Sequence, residues 1–148
     1  MIFEIKGDVF TAPQKSALMQ CISADASMSK GIAAEFKKRY PGLEKLKSQR
    51  NKVGSMIPLA LQGRVIYNLC TKLNCWDKPE VSTLQACLLE AKEHALLAGL
   101  KDISLPRIGT GLDELNYEEH VLPSLKMVFK DSGLNIWVYS FETNKTEE

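Results

Sequence analysis

The chain has 148 residues, 45% of them apolar and 25% charged, with a formal net charge of +1. Those values fit one globular domain with a single core, and they exclude both a disulfide framework and nucleic-acid binding driven by bulk charge. No stretch approaches the roughly 20 apolar residues of a membrane helix, and Glu4, Lys6, Asp8 and Lys15 argue against a signal peptide.

Taken in chain order, Ile2–Ile5 alternates as a short strand and Lys6-Gly7-Asp8 ends it. Ala17–Ser23 reads as a buried strand. Ile32, Phe36 and Tyr40 have the spacing of one helix face, so Ile32–Tyr40 is a helix that Pro41-Gly42 breaks. Leu43–Arg50 is a further short helix. Gly54–Leu61 and Val65–Thr71 are strands joined at Gln62-Gly63, a hairpin signal. Val81–Leu97 is the clearest helix, with Leu84, Cys87, Leu88, Ala91, Ala95 and Ala98 along one side and Gly99 as its C-terminal stop. Asp102–Leu105 is a strand, Tyr117–Lys130 a helix and Asn135–Phe141 a strand, and the polar tail from Glu142 frays. Strands alternating with helices indicate an α/β fold, and the hairpin makes its sheet mixed. One domain spans residues 1–141, with a polar tail over 142–148.

The most informative stretch is Pro106-Arg107-Ile108-Gly109-Thr110-Gly111-Leu112-Asp113, between a strand and a helix. Glycines there let backbone N–H groups approach an oxyanion, and the helix opening beyond adds its positive dipole end. It is neither a dinucleotide fingerprint nor a P-loop, because the third glycine and the Gly-Lys-Ser/Thr are missing. Ser27-Met28-Ser29-Lys30-Gly31-Ile32-Ala33 is a second strand-to-helix loop with a glycine. Two such loops predict two jaws around one phosphorylated ligand, beyond the carboxyl ends of the strands.

Lys72 ends an apolar strand at that same edge. A lysine partly withdrawn from water can act as an amine nucleophile, although composition alone favours a solvated surface lysine. Asp113 reads equally as a helix-start carboxylate or as an acid–base group. Asp8 has a turn-forming reading, and Ser23 and Asp25 an ordinary loop reading beside a ribose-binding one for Ser23. Cys70 and Cys75 flank Lys72 and read as buried filler, and Trp76 and Trp137 as core or rim aromatics. The basic residues from Lys37 to Lys52 read as a solvated face. Cys21, Cys70, Cys75 and Cys87 lack metal-site spacing, and His94 and His120 fall in helix-like stretches, so no metal is expected and a reducing compartment, nucleus or cytoplasm, fits best.

These residues together resemble the macrodomain family. The resemblance is carried by Lys6-Gly7-Asp8, Cys21-Ile22-Ser23, Met28-Ser29-Lys30-Gly31-Ile32-Ala33, Phe36-Lys37-Lys38, Thr71-Lys72, Lys78-Pro79, the Gly-Thr-Gly-Leu-Asp loop and Val138-Tyr139. Within the family the chain is most similar to the terminal ADP-ribose protein glycohydrolase branch. The resemblance implies a three-layer α/β/α sandwich with a mixed sheet and a cleft for ADP-ribose. It implies that Asp8 contacts the adenine amino group and that Val9 and Tyr139 also contact the ligand. Gly31 and Ile32, and Ile108, Gly109, Thr110, Gly111 and Leu112, would hold the diphosphate, with Ser23 by the distal ribose. Lys72 matches the family's catalytic lysine and Asp113 its catalytic aspartate. Departures are Gln20 in place of a histidine, Lys30 in place of a small residue, and Leu73 in place of a second lysine.

The implied function is removal of ADP-ribose from Glu or Asp side chains of modified proteins, by a monomer with no cofactor or metal. Two alternatives stand beside it: a non-catalytic reader of ADP-ribose, and a hydrolase acting on O-acetyl-ADP-ribose or ADP-ribosylated nucleic acid.

Overall fold

The computed structural model describes residues 1–109 and 115–141. The elements run β1 (Ile2–Lys6), a 3-10 turn (Val9–Thr11), β2 (Ala17–Ser23), α1 (Gly31–Arg39), a second 3-10 segment (Leu43–Ser48), β3 (Met56–Leu61), β4 (Arg64–Lys72), α2 (Val81–Leu97), β5 (Asp102–Pro106), a π-turn (Tyr117–Val121), α3 (Leu122–Phe129) and β6 (Asn135–Ser140). The tail over 142–148, expected to fray, lies outside the described residues.

The strands form one six-stranded sheet in the order β1-β6-β5-β2-β4-β3. Five are mutually parallel, and β3 runs antiparallel to β4 at one edge. The sheet is therefore mixed, as the hairpin signal requires. Gln62 and Gly63 both have positive φ, 53° and 73°. That is the turn whose twist matches a two-residue hairpin. Gln62 is an unusual residue there, and two hydrogen bonds hold it. Its side chain donates to Arg39 O at 3.1 Å, and its carbonyl accepts from the Gln14 side chain at 2.9 Å.

Apolar alternation in the central strands builds a core on each face of the sheet. Met19, Tyr67 and Leu69 face one core, together with Leu84, Leu88 and Ala91 of α2 and Leu125 of α3. Leu18, Ile22, Ile66 and Cys70 face the other, with Phe36 of α1 and Leu43 and Leu46 of the second 3-10 segment. Successive strand residues point to opposite faces, so a strand covered on both sides reads as a continuous apolar run. The result is helices on both sides of the sheet, the three-layer α/β/α sandwich.

Helix α2 ends at Leu97 and is capped by Ala98, which is exposed and not part of the buried stripe. Gly99 follows at φ 71°, and Leu100 N–H returns to Ala95 O at 2.9 Å. This is a left-handed helix stop that glycine takes without strain. The predicted helix Tyr117–Lys130 divides into a π-turn and α3. Pro123 has no N–H to give the preceding turn, which relaxes the helical ladder there. No helix among the described residues is long and apolar enough to cross a membrane.

Candidate active site

The carboxyl ends of the five parallel strands lie along one edge of the sheet, at Lys6, Ser23, Lys72, Pro106 and Ser140. Strands β2 and β5 are direct neighbours, pairing Ala17 with Ile103 and Leu18 with Ser104. The two glycine-containing loops therefore leave adjacent strands at the same edge. Between β2, the loop after it and the end of β4 is a cleft of about 310 Å³, bordered by Ser23, Met28, Lys30, Lys72, Cys75 and Trp76. That volume suits a small-molecule site.

The loop after β2 is strained and tightly tied. Ala26 and Met28 have φ of 48° and 43°, in the left-handed region that residues with a side chain avoid. Each such residue costs on the order of 1–3 kcal/mol and persists only where its surroundings impose it. Here Ala26 N–H bonds Ser23 O at 2.9 Å, Lys37 Nζ donates to Ser27 O at 3.2 Å, and Asn51 Nδ2 donates to Ala24 O at 3.0 Å. Met28 is 4% exposed, and its Sδ lies 3.7 Å from Gln20 Nε2. The same Nε2 donates to Asn68 Oδ1 at 2.9 Å, so a buried polar pair on β2 and β4 supports the loop from beneath. Helix α1 then opens at Gly31 (φ 62°), with no side chain capping its first turn. Uncapped N–H groups at a helix start are an anion-binding arrangement.

In the loop after β5, Ile108 is buried and its N–H bonds Pro106 O at 2.7 Å. Gly109 has φ 76°, and a Cβ there would lie 3.0 Å from Leu115 Cδ1 and 3.3 Å from Val121 Cγ2. Only glycine fits that position without displacing the core beneath. Gly109 O accepts from Leu115 N–H at 2.7 Å and closes the base of the loop.

Lys72 is only 8% exposed. Its Nζ donates to Cys75 O at 2.9 Å. The pairing of β2 with β4 is regular up to Ile22 opposite Cys70, and then shifts so that Ser23 lies opposite Lys72. One extra residue, Thr71, is accommodated in β4 at the rim of the cleft, a place where bulges recur. Ser23 is buried, and its Oγ donates to Asp25 Oδ1.

The fold matches that of the DarG macrodomain of Thermus aquaticus, with TM-score 0.82 and 21% identity over 95% of this chain and 98% of that one. It also matches DarTG of Thermosipho africanus in complex with ADP-ribose, at TM-score 0.79 and 17% identity over 96% of this chain and 43% of that one. No protein-family model matches the chain. In sequence, it is 41% identical to the ADP-ribose glycohydrolase OARD1 of Homo sapiens, and equally to that of Bos taurus, over 92% of this chain and 89% of those proteins. The chain belongs to the macrodomain family.

The macrodomain's remaining candidate residues distribute around the same edge. Asp8 and Val9 follow β1, and Tyr139 lies near the end of β6, the strand paired with β1. Val9, Tyr139, Ile22 and Met28 share one core. Asp8 is half-buried, and its Oδ1 accepts from Phe10 N–H at 2.9 Å, capping the 3-10 turn. Ile32 is exposed on the first turn of α1. Thr110, Gly111, Leu112 and Asp113 lie outside the described residues.

The readings of Lys72 and Cys75 need correction. The solvated-lysine reading of Lys72 fails, because β4 remains buried to its last residue. Cys70 is buried, and burial, reinforced by Asp25, pushes its thiol up to about 11, which makes it inert at neutral pH. Cys75 is instead exposed at the cleft mouth. Trp137 is a structural aromatic, stacked on Phe3 at 4.2 Å and bonded through Nε1 to Asp102. Trp76 stands on the rim. Ala26 and the Gln20–Asn68 pair support the loop beside the cleft without having been singled out in the sequence for that role, whereas Met28 belongs to the loop already read as one jaw. A polar residue inside each of two neighbouring apolar strands was the available signal for the pair.

Proposed function

We propose that this macrodomain is an ADP-ribose glycohydrolase that removes ADP-ribose from acidic side chains of modified proteins, with Lys72 as nucleophile and Asp113 as the proton-transfer group. The observation that carries this reading is Lys72, a buried amine held at the floor of a cleft beside Ser23 and aimed by a backbone carbonyl. A residue that served only binding would not need a flexible amine drawn out of solvent. The relatives named ADP-ribose glycohydrolase support the activity.

In the reaction, the Lys72 amine attacks the anomeric carbon of the distal ribose. The bond from that carbon to the acceptor carboxylate breaks, and the carboxylate leaves with the electron pair. A lysyl–sugar adduct forms, and water releases ADP-ribose from it. Asp113 moves protons in both halves. The uncapped start of α1 and the Gly109 loop take the diphosphate charge.

The test is release of ADP-ribose from a Glu-ADP-ribosylated protein, run beside O-acetyl-ADP-ribose and an ADP-ribosylated oligonucleotide. Release from none of them, with ADP-ribose still bound, would make the macrodomain a reader. Asp113→Ala should be inactive and should accumulate the adduct, seen by intact-mass spectrometry as one ADP-ribose on Lys72. An inactive variant with no adduct would place Asp113 before the attack, and a fully active one would make it only a helix-start carboxylate.

Free ADP-ribose should bind in the micromolar range, about −8 kcal/mol. Asp8→Ala should weaken that by roughly 1.5–3 kcal/mol, the loss of a charge-assisted hydrogen bond. It should also cost about 1 kcal/mol of stability, because the same carboxylate caps the 3-10 turn. Asp8→Asn retains the cap, so calorimetry on both variants separates the two effects. Unchanged affinity in both would remove Asp8 from the adenine site.

A further inference from the structure

Trp76 is 77% exposed although it borders the cleft, and Leu73, three residues earlier, is 62% exposed. Scattered surface hydrophobics need no explanation. The placement of these two does, because both lie within four residues of Lys72. The segment is held in shape. Asp77 N–H bonds Asn74 O at 3.0 Å, and Asn74 N–H bonds Asp77 Oδ2 at 2.9 Å, closing a turn with Cys75 and Trp76 at its tip. Lys72 Nζ ties to the carbonyl of that same tip. The turn therefore displays the indole to solvent within a residue of the atom that grips the amine.

Whatever is attached to the far side of the bond that Lys72 attacks must pass this rim. Its charge says what fits there. Asp77 lies in the turn and Glu80 just beyond, against Lys78 in the same segment and Lys30 on the other loop that borders the cleft. That is no rail for a phosphodiester backbone, which needs clustered cations. It does suit a polypeptide with an apolar side chain beside its modified residue. We infer that Trp76, with Leu73, is a specificity-determining residue that packs against the polypeptide flanking the ADP-ribosylated side chain. The inference rests on the glycohydrolase reading of the cleft.

The test compares Trp76→Ala and Trp76→Phe with the parent on three probes. These are a Glu-ADP-ribosylated peptide with Phe next to the modified residue, O-acetyl-ADP-ribose and free ADP-ribose. Trp76 is exposed, so folding is not at stake. Trp76→Ala should lower kcat/KM on the peptide about tenfold, the scale of one aromatic contact, with Trp76→Phe recovering most of it. O-acetyl-ADP-ribose turnover and ADP-ribose affinity should not change. Affinity for the ADP-ribosylated peptide, measured in a Lys72→Ala background, should fall equally, and this readout decides the role of Trp76 even if no probe is cleaved. Lack of cleavage by the parent would therefore sink the enzyme reading separately. The inference is overturned if peptide binding and turnover are unchanged. It is also overturned if free ADP-ribose affinity falls as much, or if the loss appears only on an ADP-ribosylated oligonucleotide.

Discussion

Lys72→Ala is expected to lower release of ADP-ribose from Glu-ADP-ribosylated protein by on the order of a thousandfold or more, the usual scale for deleting a nucleophile. A nucleophile acts in the transition state, so the loss should fall on kcat. Affinity for free ADP-ribose should remain within about threefold of the parent, because the proposed reading assigns the diphosphate to backbone N–H groups of the two loops and not to this amine. Removing the side chain also removes its bond to Cys75 O and opens a small void at the end of β4. The unfolding midpoint must therefore be measured beside turnover. A variant that folds, binds ADP-ribose and cleaves as fast as the parent would take Lys72 out of the chemistry. Lys72→Arg separates charge from nucleophilicity, since guanidinium keeps the charge but cannot deprotonate to attack, and it should be as inactive as alanine.

Phe36→Ala should have the largest effect on stability, about 3–5 kcal/mol in urea unfolding, as for other fully buried aromatics. Phe36 is fully buried. It meets Phe10 edge-to-face at 4.8 Å and lies 6.5 Å from Tyr40. Those rings join α1 to the turn that Asp8 caps, so the same residue joins the proposed adenine end of the site to the proposed diphosphate end. ADP-ribose affinity measured well below the unfolding midpoint should fall as well, because α1 carries the first loop. Destabilisation under 1 kcal/mol would mean that the neighbouring rings collapse into the void.

Much of the fold could be read from the residues because its central strands are covered on both faces. β2 and β4 are near-continuous apolar runs, and α2 has a clean stripe ended by Gly99. What could not be read follows from register and from backbone strain. Ala26 and Met28 take left-handed conformations that are usually the mark of glycine, so nothing in their identity signals the turn. Gln20 and Asn68 each look like an interruption in a strand, and only the pairing of β2 with β4 shows that the Gln20 amide N–H is met by the Asn68 side-chain oxygen. Cys75 reads as buried filler in the sequence because little beside it could activate a thiol, but the sheet ends at Lys72 and the turn carries Cys75 outward. Lys72 itself looked like a surface cation, because lysines usually are. Its burial comes from the loop and turn that fold over the end of β4.

The extra residue in β4 bears on which changes the chain can absorb over time. Thr71 and Lys72 together stand opposite Ser23, where a regular ladder would place one residue. Deleting Thr71 would make the ladder regular and would look benign in an alignment. It would also draw Lys72 back by one strand step, about 3.3 Å, and turn its side chain to the face that Thr71 occupies. Substitutions at the end of this strand can be graded and compensated one side chain at a time. A change of length there is all-or-none, so descendants of this sequence should drift in residue identity along β4 while keeping its residue count.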